Sequence, residues 1–593
     1  MENKKRKNFY GYFGKSKSTY TIGEEEKKYY LERPGPRPVS IGNEFFREIR
    51  EKNYFYIDKS LYIKNIIDDA SKVILITRPR RFGKTLNMDM LKCFFNIEED
   101  SREIFKGLKI MEQGENYTNY LNSMPVIYLT LKDVMGGSFE TMIALLKTCI
   151  SNMYKQHNNL LDNKKLRTQQ RERVRKYIDK EMEKEELLSS INELAELLES
   201  VYGKKVLLLL DEYDVPLQNA YVSGFYEEAI EYLKIFYANS FKGNAYIEKA
   251  VLTGVSRVSK ETIFSGLNNI EVYTVINDNI YGKDFGMVDE EVEKALEEFE
   301  LEKNKKEVKK WYDGYKIGNT EGIYNPWSLT KYLKDKQIQA YWVNTSSNDL
   351  IKLIFKKSVN AKQMLEKLLE GKKIEVTINE ETVLKNIERN EENMWGLLVG
   401  TGYLKINKIL NIKQVNVKTC LVEIPNEEIK RLFESIIELW FLNKAACADL
   451  QDLLSDLING KFDEFEYKFQ RLVIEMFSYM DVGIDTAENF YHAFVLGLLV
   501  GLKDTHTVVS NRESGYGRYD IMVKPKDKDQ IAFIMEFKVD KFDKIKDLDT
   551  IIESAFNQIE EKKYETELRN EGYTNISKMA YSFKGKDCKM AIR

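Results

Sequence analysis

Cysteine is scarce in this chain and never paired. Cys93, Cys149, Cys420, Cys447 and Cys588 are odd in number and nowhere form a C-x-x-C. That argues against a disulfide framework or a zinc site and points to a reducing, cytoplasmic setting. Histidine is scarcer still, at three residues in 593, which argues against the His-rich metal chemistries. No apolar run approaches the roughly 20 residues of a membrane helix, and Met1 is followed by the polar ENKKRKNF rather than an apolar signal core. A soluble intracellular protein with no membrane partner is expected. The net charge of -3 is the small difference between 91 basic and 94 acidic residues that cluster locally. It argues neither for nor against a nucleic-acid partner.

What is present is an α/β multidomain pattern, since 593 residues exceed what one hydrophobic core can hold. A polar leader over 1–37 carries KKRK at Lys4 to Lys7, reads as a solvated tail, and closes on ERPGPRP. Over 38–290, KVILITRP, MPVIYLTLKD, KKVLLLLDEYD and EKAVLTGVSR are apolar, β-branched or leucine-rich runs separated by helical spacing. They predict a parallel, doubly wound sheet. Residues 291–455 read as a helical lid or connector. Over 456–593 a helix (ENFYHAFVLGLLVGL), three strands (THTVVSNRES, GRYDIMVKP, IAFIMEFKV), a helix from about Leu548 and a strand at ISKMAYSF predict a compact αβββαβ unit.

ITRPRRFGKTLNMDM resembles a phosphate-binding loop, with Gly83, Lys84 and Thr85 in place and Arg78 where the first Gly of the motif belongs. Backbone N–H groups at a strand-to-helix turn make an anion cradle. Lys84 would reach the β- and γ-phosphates, and the Thr85 hydroxyl would ligate Mg²⁺. The Arg78 guanidinium could touch phosphate, and Arg81 joins it as a candidate nucleotide-binding cation. In VLLLLDEYD, Asp211 and Glu212 stand at the tip of a buried strand. The first would hold Mg²⁺ and the second would polarise the attacking water; helix N-capping, which Asp214 could supply equally, is the structural alternative. After another buried strand, Thr253 could sense the γ-phosphate and Arg257 could stabilise transition-state charge, or Arg257 could be a structural ion pair.

These stretches, with YFYIDKS, LLDEYDVPL, AVLTGVSR and IFSGLNN, closely resemble the predicted AAA-ATPase-like proteins over about Ile41 to Tyr341. In that family the Arg-containing loop is the usual form. The resemblance implies an AAA-like domain using ATP and Mg²⁺, and a homo-oligomer is one assembly open to it.

Near the C-terminus, Asp520 lies on one strand and Glu536 and Lys538 on the next. Period-two alternation puts Glu536 and Lys538 on one face and Phe537 on the other. Two carboxylates for a divalent metal and an ammonium for the nucleophile or developing charge are what metal-assisted phosphodiester cleavage needs. These residues and the element order resemble the PD-(D/E)XK nuclease superfamily over roughly Asp485 to Arg593. The resemblance implies Asp520 and Glu536 as metal ligands, Lys538 as catalytic lysine, Glu488 as an accessory ligand and Gln558 as the helix glutamine of some members. Tyr519 takes the Pro position of the name, and Glu513 is an alternative acid. Arg512, Arg518, Lys541 and the EEKKYE helix are candidates for phosphate contacts.

Together these features predict an ATP-binding and ATP-hydrolysing protein coupled to Mg²⁺-dependent cleavage of nucleic acid, DNA ahead of RNA. Two other readings stand beside it: a nucleotide-switched nucleic-acid or partner-binding protein with an inactive nuclease fold, and an RNA-directed nuclease.

Overall fold

The computed structural model describes residues 35–257, 269–342, 371–381, 390–414, 416–442, 447–477, 498–502, 505–510, 517–539, 547–584 and 587–593, together with residues 364, 365, 367–369, 495, 513 and 514. Five parallel strands form the first sheet: β1 (Val73–Thr77), β2 (Val126–Thr130), β3 (Val206–Asp211), β4 (Ile247–Gly254) and β5 (Ile270–Tyr273), in the spatial order β2-β3-β4-β1-β5. Every residue of β1 and β3 is buried, because helices cover both faces. Val73 and Leu75 of β1, with Leu208 and Leu210 of β3, enter one core beside the helices Phe139–Lys155 and Tyr226–Phe241. Ile74 and Ile76, with Leu207 and Leu209, enter the other beside the helix Lys84–Phe95. Burial on both sides is why these strands read as continuous apolar runs rather than as alternating ones. The four-residue β5 is too short to have stood out.

Residues ahead of Ile41 are held against the rest of the chain. Arg37 Nε donates to Glu298 Oε1 at 2.8 Å, and Phe55 N donates to Pro38 O at 2.9 Å. The connector also differs from the helical expectation, because two small antiparallel sheets interrupt its helices. One joins Met287–Val288, Tyr315–Ile317 and Thr320–Tyr324; the other joins Ile374–Asn379, Lys405–Gln414 and Val417–Glu423. Register shifts at three places along Lys405–Gln414 break its period-two pattern, which hides it in the sequence.

The C-terminal part folds around a mixed sheet in the order His506–Ser510, Ile521–Pro525, Ala532–Val539, Ile576–Lys584, Asp587–Ile592. Only Ala532–Val539 and Ile576–Lys584 run parallel; the other neighbours are antiparallel. The last strand was not expected and closes the sheet as a hairpin. The helix Leu548–Glu561 covers one face through Ile552, Ala555 and Phe556, against Ile534 and Ala580. Phe533, Met535 and Phe537 point into the opposite core. The hydrophobic clusters of this part contain no residue before Leu453. Among the described residues no helix is long and apolar enough to cross a membrane.

Candidate functional site

The strand order sets the first site. β4 lies between β1 and β3, so the loop after β1, the end of β3 and Thr253 of β4 meet at one edge of the sheet. Gly83, at φ 83, turns the chain into the helix Lys84–Phe95, whose first turn no side chain caps. A left-handed glycine opening an uncapped helix leaves N–H groups for an anion. Thr85 Oγ1 donates to Asp211 Oδ2 at 2.8 Å, and Thr253 Oγ1 donates to Asp211 Oδ1. Burial, and after it the neighbouring Glu212, lifts the Asp211 carboxyl to about 6. Lys84 Nζ donates to the carbonyls of Arg78 and Pro79 at 3.3 and 3.2 Å and lies 3.5 Å from Glu212 Oε1. Glu212 is held at φ 56, a strained backbone for a residue with a side chain.

These residues open on a cavity of about 690 Å³. Its polar end is Arg80 to Thr85 with Glu212, and its apolar wall includes Ile41, Phe55, Met287 and Trp327. Size and lining suit a nucleotide. The uncapped helix start, the Lys84 ammonium and the Thr85–Asp211 pair form a donor set that fits triphosphate with Mg²⁺. The apolar wall is not legible in the sequence because its members are far apart in the chain.

Two expected nucleotide contacts are corrected. Arg78 is fully buried, and its guanidinium pairs with Asp278, donates to Thr77 O at 2.8 Å and Tyr273 O at 3.3 Å, and lies over the Phe285 ring. It binds the loop after β5, not phosphate. Arg257 turns away from the cavity: Nη2 donates to Glu381 Oε1 at 2.9 Å, with Glu380 alongside. Asp214 also stays out of the cavity. Its carboxylate accepts from Val255 N and Ser256 N at 3.1 and 2.8 Å and so fixes the loop after β4.

The second site lies on the face of Ala532–Val539 covered by the helix Leu548–Glu561. Asp520 Oδ2 accepts from Phe537 N at 2.8 Å, which pins it to the strand carrying Glu536. Glu536 is 1% exposed. Its Oε1 accepts from Lys538 Nζ at 3.0 Å and from Gln558 Nε2, whereas its buried Oε2 has no hydrogen-bond partner among the described residues. Burial, and next the adjacent Asp520, push the Glu536 carboxyl up to about 8, against the pull of Lys538. Two neighbouring carboxylates with an unsatisfied buried oxygen fit a hard divalent cation. Among the described residues no three His, Cys, Asp or Glu side chains gather into a metal site, so these strands supply only that pair. Glu488, Arg512 and Lys541 lie outside the described residues, as do the side chains of Glu513 and Arg518. Tyr519 is buried against Tyr564, which accepts from Gln558 at 3.0 Å.

Comparison with known proteins follows the same division. Residues 40–264 match a family described as predicted AAA-ATPase, and residues 486–592 match the PD-(D/E)XK nuclease superfamily. An uncharacterized protein in the vnfD 5′ region of Azotobacter chroococcum mcd 1 is 24% identical over 549 residues, covering 90% of this chain and 94% of that protein. The solved structure of the Aeropyrum pernix ORC2 protein, in ADPNP–ADP complexes, aligns at 10% identity and a TM-score of 0.21 over 70% of this chain and 98% of that one. The chain thus carries one stretch that matches the predicted AAA-ATPase family and, behind it, one that matches the PD-(D/E)XK nuclease superfamily.

Proposed function

We propose that the first domain binds and hydrolyses ATP with Mg²⁺, and that the C-terminal domain cleaves phosphodiester bonds of nucleic acid in a divalent-metal-dependent reaction, DNA being the first substrate class. The observation that carries the second half is Glu536: a carboxylate with one buried oxygen unsatisfied, beside Asp520 and bonded to Lys538. Such an arrangement costs stability unless a cation meets it.

In the ATPase half, Lys84 would exchange two long carbonyl contacts for phosphate, and Thr85 and Asp211 would hold Mg²⁺. Glu212, placed beside Lys84, orients the attacking water. In the nuclease half, Gln558 and Lys538 both bond Glu536 Oε1 and so leave Oε2, with Asp520, for the ion. When bound, a divalent ion supplies Lewis acidity and a water of lowered pKa. Lys538 places its ammonium where negative charge develops.

The test is direct. Purified protein with Mg²⁺ or Mn²⁺ is incubated with plasmid, single-stranded DNA or RNA, with and without ATP, and new ends are counted. Asp520→Asn should lose cutting and keep nucleic-acid binding. Equal cutting by Asp520→Asn, or none by the wild type on any polymer, would end the nuclease reading.

A further inference from the structure

Arg81 differs from the other cations of the phosphate loop. Its backbone sits at φ 68, in the left-handed region. Its guanidinium lies over the indole of Trp327, 4.4 Å from the ring centroid. Arg78 is matched by Asp278, and Lys84 by Glu212 and two carbonyls. The Arg81 guanidinium, among the described residues, makes no hydrogen bond or ion pair. A guanidinium held over an aromatic ring keeps its N–H donors available to phosphate oxygens, which it can meet in pairs. Arg81 and Trp327 line the same cavity as Lys84 and Thr85.

Trp327 is itself fixed. Asn325 Oδ1 caps the helix Pro326–Asp335, accepting from Trp327 N at 2.9 Å. The next residue, Ser328, donates its hydroxyl to Glu428 Oε2 at 2.8 Å. Glu428 Oε1 accepts from Trp342 N at 2.7 Å, and Trp342 Nε1 donates to Arg80 O at 3.1 Å. The helix that carries the indole and the loop therefore share one hydrogen-bonded frame. A long arginine side chain held in advance loses less rotamer freedom on binding than a mobile one.

We infer that Trp327 is a positioning residue: the face of its indole holds the Arg81 guanidinium so that the guanidinium edge meets the phosphates of a nucleoside triphosphate. The inference rests on the cavity being a nucleotide site. Stacking also makes the helix Pro326–Asp335 a direct neighbour of the bound phosphates, so loading of the loop is felt in the connector.

The experiment is titration calorimetry of the full chain with Mg²⁺-ATP. Arg81→Ala should weaken binding at least tenfold, and Trp327→Ala to a similar degree. Trp327→Phe, which keeps an aromatic face, should stay within about threefold of wild type. The double variant Trp327→Ala/Arg81→Ala should bind no more weakly than Arg81→Ala alone, because the indole acts only through the guanidinium. ATP should also change the indole emission of the wild type, and that change should shrink in Trp327→Phe. Undiminished binding by Arg81→Ala overturns the inference. So does a loss on Trp327→Ala that is equally large in the Arg81→Ala background, which would make Trp327 a structural anchor of its helix. Lys84→Ala separates the two readings. If it binds ATP like wild type, or wild type binds none, the nucleotide site falls and takes this inference with it. If it loses ATP while Arg81→Ala keeps it, only the present inference fails. Arg81 is exposed and its truncation leaves the core intact, so the test stands even if Trp327→Ala does not fold.

Discussion

Arg78→Gly writes the standard phosphate-loop glycine into this chain, and the structure says that it should do harm. The side chains of Arg78 and Asp278 are both 0% exposed. Removing one partner of a buried ion pair typically costs about 3–5 kcal/mol, because the other charge stays buried and uncompensated. The carbonyls of Thr77 and Tyr273 lose a donor as well, and the face of Phe285 loses its cation. Glycine adds about 0.5–1 kcal/mol in backbone entropy. A loss of about 4 kcal/mol is a large part of the 5–15 kcal/mol that ordinarily holds a domain together. In a domain of this size each kcal/mol moves the midpoint by about 2–4 °C, so the first thermal transition should fall by roughly 10 °C. Differential scanning calorimetry reads that transition, and ATP titration of the folded variant reads the site. Adding Asp278→Asn should return much of the loss: the buried charge is gone, and the amide oxygen can still accept from Ile280 N and Tyr281 N, as Oδ1 does now at 2.8 and 2.7 Å. If Arg78→Gly melts with the wild type, or binds ATP more tightly, the structural role given to this arginine is wrong.

Three further outcomes are expected. Glu212→Gln should keep ATP binding and slow turnover, since it spares the phosphate cradle; a hydrolysis rate equal to wild type would remove Glu212 from the mechanism. Burial raises the Glu428 carboxyl from 4.5 to about 7, so the native chain keeps a proton that the unfolded chain has released. Stability should therefore fall as pH rises from about 4.5 to about 7 and level off above, and Glu428→Gln should flatten that slope in thermal melts; an unchanged slope would contradict the assignment. Lys84→Ala should alter the cutting rate although it lies far from Asp520 in the chain, and a tenfold change needs only about 1.4 kcal/mol of differential binding. Equal cutting by wild type and Lys84→Ala, with and without ATP, would leave two uncoupled domains.

The strands β1 to β4 were legible because burial on both faces leaves long apolar runs, a signal that needs no partner to be recognised. Glu536 and Lys538 could be put on one face for a related reason, since period two assigns a face from local sequence alone; Asp520 stands just before its strand, Ile521–Pro525, where that rule does not reach. Arg78 was not legible, because its partner Asp278 stands 200 positions away and nothing local announces a buried ion pair. For Arg257 the structural ion pair stood open as an alternative, but its partner Glu381, 124 positions on, could not be named. The strand Asp587–Ile592 could have been found from the alternation of Cys588, Met590 and Ile592. The sheet of Lys405–Gln414 could not, since its register shifts erase that alternation.

The strand order also bears on how this chain is made. β1 pairs only with β4 and β5, so Val73–Thr77 leaves the ribosome about 170 residues before its first partner, Ala250–Gly254, exists. At elongation speeds of roughly 5–20 residues per second, that gap lasts on the order of 10–30 s. Throughout it VILIT is an unpaired and mostly apolar segment, while β2 and β3 can already join each other. Slow translation or a holding chaperone should therefore govern the yield of native protein more than the stability of the finished fold does, and a stop before Ile247 should release an insoluble fragment.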